Sequence, residues 1–469
     1  MDVLAWLWAV AVGVAALWLF CERGPDEPRW ASVAWRTGCG AALGMGAASA
    51  LFVLRVMVAP ASPRVSPVAE LLVDAAVLAL GWRTRKRRSA AGAGTKRAGL
   101  AAWPLAAMLG AGALCAGSAF SSLIAANPEG NWDAWAIWNL RARFLAAPDA
   151  AAQFAYSARL QGTHPGYPLL LSGFVARCWS YAGLSGGTIV PTLAAASFLA
   201  ALVLMAAGAV TMLRGAQFGL LFCLCLLAYP PLVREAAAQY ADVPLACFAF
   251  GAMVALAVAL EKEKPGAWLA LAGALASCAA WTKNEGILYL AVFAVIASWR
   301  LRAGGRRLAA LAMGAAPVAL LTAVFKLFVA PRDEPPLFLA GFGELARWEV
   351  VGRGLWHEMG AMASGWFHPA MPLAVVGIAL GFAGWKRRQW WLPAIAAAAM
   401  AAGDLVVYVM NRNDLVWLVG SSLPRLLVQI WPLALLAFFL ALGDQPAPAV
   451  VPVGAAKRPA GKRSKRRSS

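Results

Sequence analysis

The stretch GLAAWPLAAMLGAGALCAGSAFSSLIAANPEGNWDAWAIWNLRARF, residues 99–144, decides how this chain folds. From residue 99 to Ala126 it carries no charge at all. Glu129, Asp133, Arg141 and Arg143 then follow, interleaved with Trp132, Trp135 and Trp138. An uncharged apolar run of about 20 residues or more is what a helix needs to cross a bilayer. The abrupt return of charge and tryptophan marks the point where such a helix emerges at the membrane surface.

The rest of the 469-residue chain repeats the pattern. It is 61% hydrophobic and only 13% charged, and a water-soluble fold of that composition would lack the polar surface to cover itself. The expected fold is all-α, a polytopic transmembrane bundle of about 13 spans, with Ala and Gly letting helices approach closely in lipid. The opening MDVLAWLWAVAVGVAALWLF lacks a basic leader and is expected to be a retained span rather than a cleaved signal. Cys115, Cys178, Cys223, Cys225, Cys247 and Cys278 fall inside apolar segments, as small packing residues do, and form neither a disulfide framework nor a metal knuckle.

A net charge of +19 raises the question of nucleic acid. The basic residues instead cluster in RTRKRRSAAGAGTKR (83–97), RLRAGGRR (300–307), KRR (386–388) and KRPAGKRSKRR (457–467), with no acidic residue among them. That is the bias of loops retained in the cytoplasm, next to anionic headgroups. No nucleic-acid motif accompanies them, so nucleic acid is not expected as a partner.

With these runs in the cytoplasm, spans are expected near 3–20, 33–59, 66–82, 99–126, 188–212, 216–231, 243–260, 267–282, 286–299, 308–330, 370–384, 390–410 and 424–442. The N-terminus then faces outward and the C-terminus is cytoplasmic. Segment 167–182 is left over. It is short and carries Arg177, costly in hydrocarbon, so it is expected to be an interfacial or re-entrant helix of the first outer loop, 127–187. The divisions follow: 1–98, three spans and a basic loop; 99–330, a membrane core including the outer loop; 331–444, an outer loop and the last spans; and 445–469, a disordered basic tail.

Each outward junction carries unusual polar residues, and each has a plain reading. Asp133 suits a helix cap. The tryptophans suit an aromatic belt, with carbohydrate stacking as the other reading. His164–Pro165 in QGTHPGYPLLL (161–171) suits a turn. In REAAAQYADVPLA (234–246), Asp242 suits a cap. Lys283 in WTKNEG (281–286) and Arg425 in SSLPRLLVQIWP (421–432) could snorkel to headgroups. Asp404, ionisable within an apolar span, is a further residue to watch. Yet charge bias alone, fixed by other residues, puts all the junctions on one side.

In this order the acidic start of the first outer loop, HPGYPLLL, YADVPLA, TKNEG and the late arginine of SSLPRLLVQIWP resemble the GT-C superfamily of integral membrane glycosyltransferases. The likeness is to bacterial relatives of the protein O-mannosyltransferases and lipid A aminoarabinose transferases, over roughly residues 99–442. It implies a GT-C-like core whose first outer loop holds the catalytic carboxylate and whose second holds another acidic residue. It also implies inverting transfer of a sugar from a polyprenyl-phosphate carrier to a glycan, lipid or protein acceptor. The location implied is the extracytoplasmic face of a bacterial inner membrane.

Carried over, Asp133 would be the catalytic base and Asp242 the second acidic residue. A carboxylate within reach of an acceptor hydroxyl takes its proton, and fixed cations stabilise the departing phosphate. Lys283 and Arg425 are the foremost cations, with Arg141 and His164 behind them. Glu285, Tyr167 and Tyr240 complete the substrate-binding candidates, and a divalent cation shared by Asp133 and Asp242 stays open. The sequence departs from the family in three ways: Trp132 stands where many members pair a second acid with Asp133, Gly166 stands where HPP is common, and the spans before residue 83 have no counterpart. The alternative is a transporter or flippase of a lipid-linked sugar, which calls for mid-membrane charge and an internal repeat; neither is evident.

Overall fold

A computed structural model describes residues 1–21, 24, 27–59, 67–86, 103–147, 149–160, 162–183, 186–302, 304–331, 338–363, 369–386 and 389–443. Among them every regular element is helical. The basic run 457–467, the tail 445–469 and most of 83–97 lie outside the described residues.

In chain order the helices are α1 (Asp2–Phe20), α2 (Arg29–Val58), α3 (Val68–Lys86), α4 (Trp103–Ala126), α5 (Asn139–Ala146), α6 (Leu170–Tyr181), α7 (Ile189–Arg214), α8 (Ala216–Leu227) and α9 (Pro230–Ala237). They continue as α10 (Asp242–Glu261), α11 (Gly266–Thr282), α12 (Asn284–Leu301), α13 (Gly305–Val324), α14 (Leu345–Ala363), α15 (Ala370–Leu380), α16 (Trp391–Val409) and α17 (Leu415–Ala441). Nine helices among the described residues are long and apolar enough to cross a membrane: α1, α2, α4, α7, α10, α12, α13, α16 and α17. The chain is thus a multi-pass helical membrane protein by length and composition.

The other four expected spans look different. α8 and α9 meet at a bend of 65°, because Tyr229 at their junction is extended and Pro230 opens the second helix. α11 and α15 are shorter apolar helices. α3 carries Glu70 and Asp74, which bond to protein partners: the indole of Trp8 donates to Asp74 at 2.8 Å, and Glu70 meets Arg177.

α10 is the central helix, buried along nearly its whole length against α7, α11 and α17. The N-terminal helices are not an appendage, since α2 runs along α7 and touches α6. α1 and α2 come close through glycine; a Cβ on Gly13 would sit 2.6 Å from Gly44 Cα.

α6, the expected interfacial or re-entrant helix, is 12 residues long and enclosed by protein from Leu170 to Trp179. Its Arg177 is tolerable there because Glu70 accepts from Nε at 2.7 and 2.8 Å, while Nη1 donates to Ala5 O at 2.9 Å. The last span begins at Leu415, not near 424, and Asp414 caps it by accepting from the N–H groups of Val416 and Trp417. Arg425 therefore sits within a helix, and α17 absorbs most of the expected outer segment 411–423.

Candidate active site

Asp242 opens α10 with no exposure at all. A buried carboxylate needs counter-charge and donors, and two distant segments, the α11–α12 junction and α17, supply them. Lys283 Nζ donates to Oδ1 at 3.1 Å, Gln429 Nε2 to the same oxygen at 2.6 Å, and Arg425 Nε to Oδ2 at 3.3 Å. Asp242 is consequently an organiser of cations and not a helix cap.

Lys283 stands between α11 and α12 in extended backbone, so its side chain leaves the helical stack and turns inward. It also contacts Glu285 Oε1 at 2.9 Å. Burial alone would lower the pKa of its ammonium, but the carboxylates of Asp242 and Glu285 outweigh that and hold it above the ordinary lysine range. It does not snorkel to the headgroups.

Arg425 joins the network to the segment that follows α4. Its Nη2 meets Asp133 Oδ2 at 2.5 Å, and its guanidinium lies 4.3 Å from the centre of the Tyr240 ring. Tyr240 Oη accepts from the backbone N–H of Asp133 at 3.4 Å. Burial first, then the charge of Asp133, pushes the Tyr240 phenol upward, which keeps it neutral. The Asp133 side chain makes no cap bond to the helix that follows it, so the capping reading of this residue fails. Its Oδ1 takes no hydrogen bond from the described residues.

The segment after Asp133 is a π-helical turn, Ala134–Trp138, leading into α5. Arg141, expected as a further substrate-binding cation, is the third residue of α5. Arg141 is fully buried and bonds to loop carbonyls instead: Ala155 O at 2.8 Å, Pro165 O at 3.0 Å and Tyr167 O at 2.7 Å. It holds the end of the first outer loop in place. The tryptophans divide as well. Trp132 and Trp135 are half exposed and meet edge-on, whereas Trp138 is buried and stacks on Tyr167, so it belongs to no surface belt.

His164 adopts a left-handed backbone with φ of 49° and also stacks on Tyr167, ring centres 4.7 Å apart. Tyr167 lies within electrostatic reach of Lys283. The network therefore unites Asp133, Tyr240, Asp242, Lys283, Glu285 and Arg425, with the Tyr167–His164 stack beside it and Arg141 behind the loop.

Sequence reasoning missed Gln429 and Lys326. Gln429 follows Arg425 by four residues, the spacing that puts two polar groups on one helix face, and that signal was available. Lys326 Nζ donates to Gly166 O at 3.0 Å and to Asn284 Oδ1 at 3.1 Å, tying HPGY to TKNEG; its place as an ionisable residue inside the apolar run 308–330 was the available signal. Asp404 is 8% exposed, makes no hydrogen bond among the described residues, and faces Glu285 and Lys283 within electrostatic reach.

Among the described residues no group of three His, Cys, Asp or Glu side chains is disposed to hold a metal. Between Asp133 and Asp242 stands the Arg425 guanidinium, so a bridging divalent ion would enter only by displacing it. Comparison with protein-family models, with curated proteins and with solved structures finds no match to this chain.

Proposed function

We propose that this protein is a GT-C-type membrane glycosyltransferase, moving a sugar from a polyprenyl-phosphate-linked donor to an acceptor hydroxyl on the extracytoplasmic face. The observation that carries the reading is the chain Asp133–Arg425–Asp242–Lys283–Glu285. It joins a half-open carboxylate of the first outer loop to buried cations from the helix ends that the family order singles out.

In this reading the acceptor oxygen attacks the anomeric carbon from the face opposite the phosphate, inverting it. Asp133 takes the hydroxyl proton through Oδ1, the oxygen with no partner among the described residues. The bond from the anomeric carbon to the phosphate oxygen breaks, and the electron pair leaves with the carrier phosphate. Arg425 has five N–H donors, of which Asp133 and Asp242 engage Nη2 and Nε; the rest are available to phosphate oxygens. Lys283 adds a fixed positive charge, effective because it is buried. Asp242 and Gln429 hold both cations where the charge develops.

The assay is transfer of labelled sugar from a panel of polyprenyl-phosphate sugars by proteoliposomes holding the purified protein, with release of carrier phosphate measured in parallel. Transfer with matching release supports the reading. Movement of intact donor between leaflets without release overturns it in favour of a flippase.

A further inference from the structure

A separate cavity of about 320 Å³ lies between the 135–143 segment and the turn from α6 into α7, within the range of about 300–1,000 Å³ usual for small-molecule sites. Trp135, Asn139 and Arg143, spaced at four-residue intervals, line one side; Trp179 and Thr188 line another, and Glu129 also contributes. Trp179 is 1% exposed, so no more than an edge of it reaches the cavity. Asn139 is buried and held by Gln239 Oε1 at 3.5 Å. Trp135 is half exposed and braced edge-on by Trp132.

We infer that this cavity binds a sugar unit of the acceptor, away from the reacting hydroxyl; the word acceptor rests on the function proposed above. An aliphatic chain would want uniformly apolar walls, and a phosphate would want cations without the Glu129 carboxylate. One half-exposed indole, that of Trp135, set among an amide, a hydroxyl, a carboxylate and a guanidinium matches a pyranose, whose C–H face meets an aromatic ring while its hydroxyls donate and accept. The cavity is also wired to the network. Gln239, which holds Asn139, donates to Pro128 O at 3.0 Å and Thr192 Oγ1 at 3.3 Å. It directly precedes Tyr240, the residue against Asp133 and Arg425.

The test is saturation-transfer NMR on the full chain in lipid nanodiscs. The probes are free glucose, galactose, mannose, N-acetylglucosamine and their disaccharides, with glycerol phosphate as the headgroup control. At least one saccharide is expected to give a saturable signal that Trp135→Ala weakens about tenfold or more and Trp135→Phe largely keeps. Gly187→Leu, where an added Cβ meets open space, fills the cavity without disturbing packing and is expected to abolish the signal. No saccharide signal, a signal indifferent to both Trp135→Ala and Gly187→Leu, or a signal from glycerol phosphate alone overturns the proposal. Because the readout is binding, it stands or falls apart from whether sugar transfer is observed.

Discussion

Glu70→Gln is the sharpest test of how the helices before residue 83 serve the rest of the protein. Glu70 and Arg177 form an ion pair with side-chain exposures of 9% and 1%. Tyr181 donates to the same carboxylate at 2.5 Å, and α6 leads directly out of the HPGY turn. Neutralising Glu70 leaves a guanidinium buried without its counter-charge, a loss of about 3–5 kcal/mol in a protein whose whole stability is on the order of 5–15 kcal/mol. Removing both charges with Glu70→Gln/Arg177→Met leaves no orphan ion. The double variant should therefore be more stable than the sum of the single losses implies, with a coupling of about 2–3 kcal/mol. Reversible unfolding of the purified protein in mixed micelles, titrated with SDS, gives all four corners of the cycle. Additive losses, or a Glu70→Gln loss within about 0.5 kcal/mol of zero, would refute the claim that this pair anchors α6.

Further outcomes follow for the carboxylate network. Arg425→Lys keeps the charge but loses the fork that spans Asp133 and Asp242, so sugar transfer should fall by about 10²–10³-fold while the protein still purifies as a folded species; unchanged transfer contradicts it. Gln429→Leu removes the 2.6 Å donor to Asp242 and should cost about 1–3 kcal/mol in the same unfolding titration. The raised pKa of Lys283 means that its contribution is fully present below the ordinary lysine value and is lost as pH rises through the higher folded value. The stability difference between wild type and Lys283→Met should therefore be flat to about pH 10 and shrink only above it; a difference that fades near neutrality contradicts that placement.

Much of this architecture was legible because hydrophobic length and charge bias act at the scale of whole helices. The nine apolar helices fall near the uncharged runs, although α17 starts earlier than expected, and segment 167–182 was set apart by charge bias, its shortness and Arg177 together. What stayed hidden depended on tertiary partners. Glu70 looked like an ordinary acidic residue at a helix start until Arg177 appeared beside it, 107 positions away. The start of α17 was misjudged because Asn411, Asn413 and Asp414 read as a polar loop, although Asp414 caps a helix that runs on through Pro424. In the site, residue types and sidedness brought Asp133, Asp242, Lys283 and Arg425 forward as candidates. Their pairing could not be read, since it requires α10, α17 and the first outer loop to converge. The π turn after Asp133 also had no sequence mark, and it turns Arg141 away from the carboxylate toward the loop carbonyls.

The central claim is that Asp133 is the proton acceptor in sugar transfer. The most direct measurement compares wild type and Asp133→Asn at matched amounts of folded protein, following labelled sugar from a polyprenyl-phosphate donor to the acceptor. The account predicts a fall of about 10²–10⁴-fold in the variant, with donor binding retained. Transfer at the wild-type rate would contradict it and reduce Asp133 to a partner that merely holds Arg425 in place.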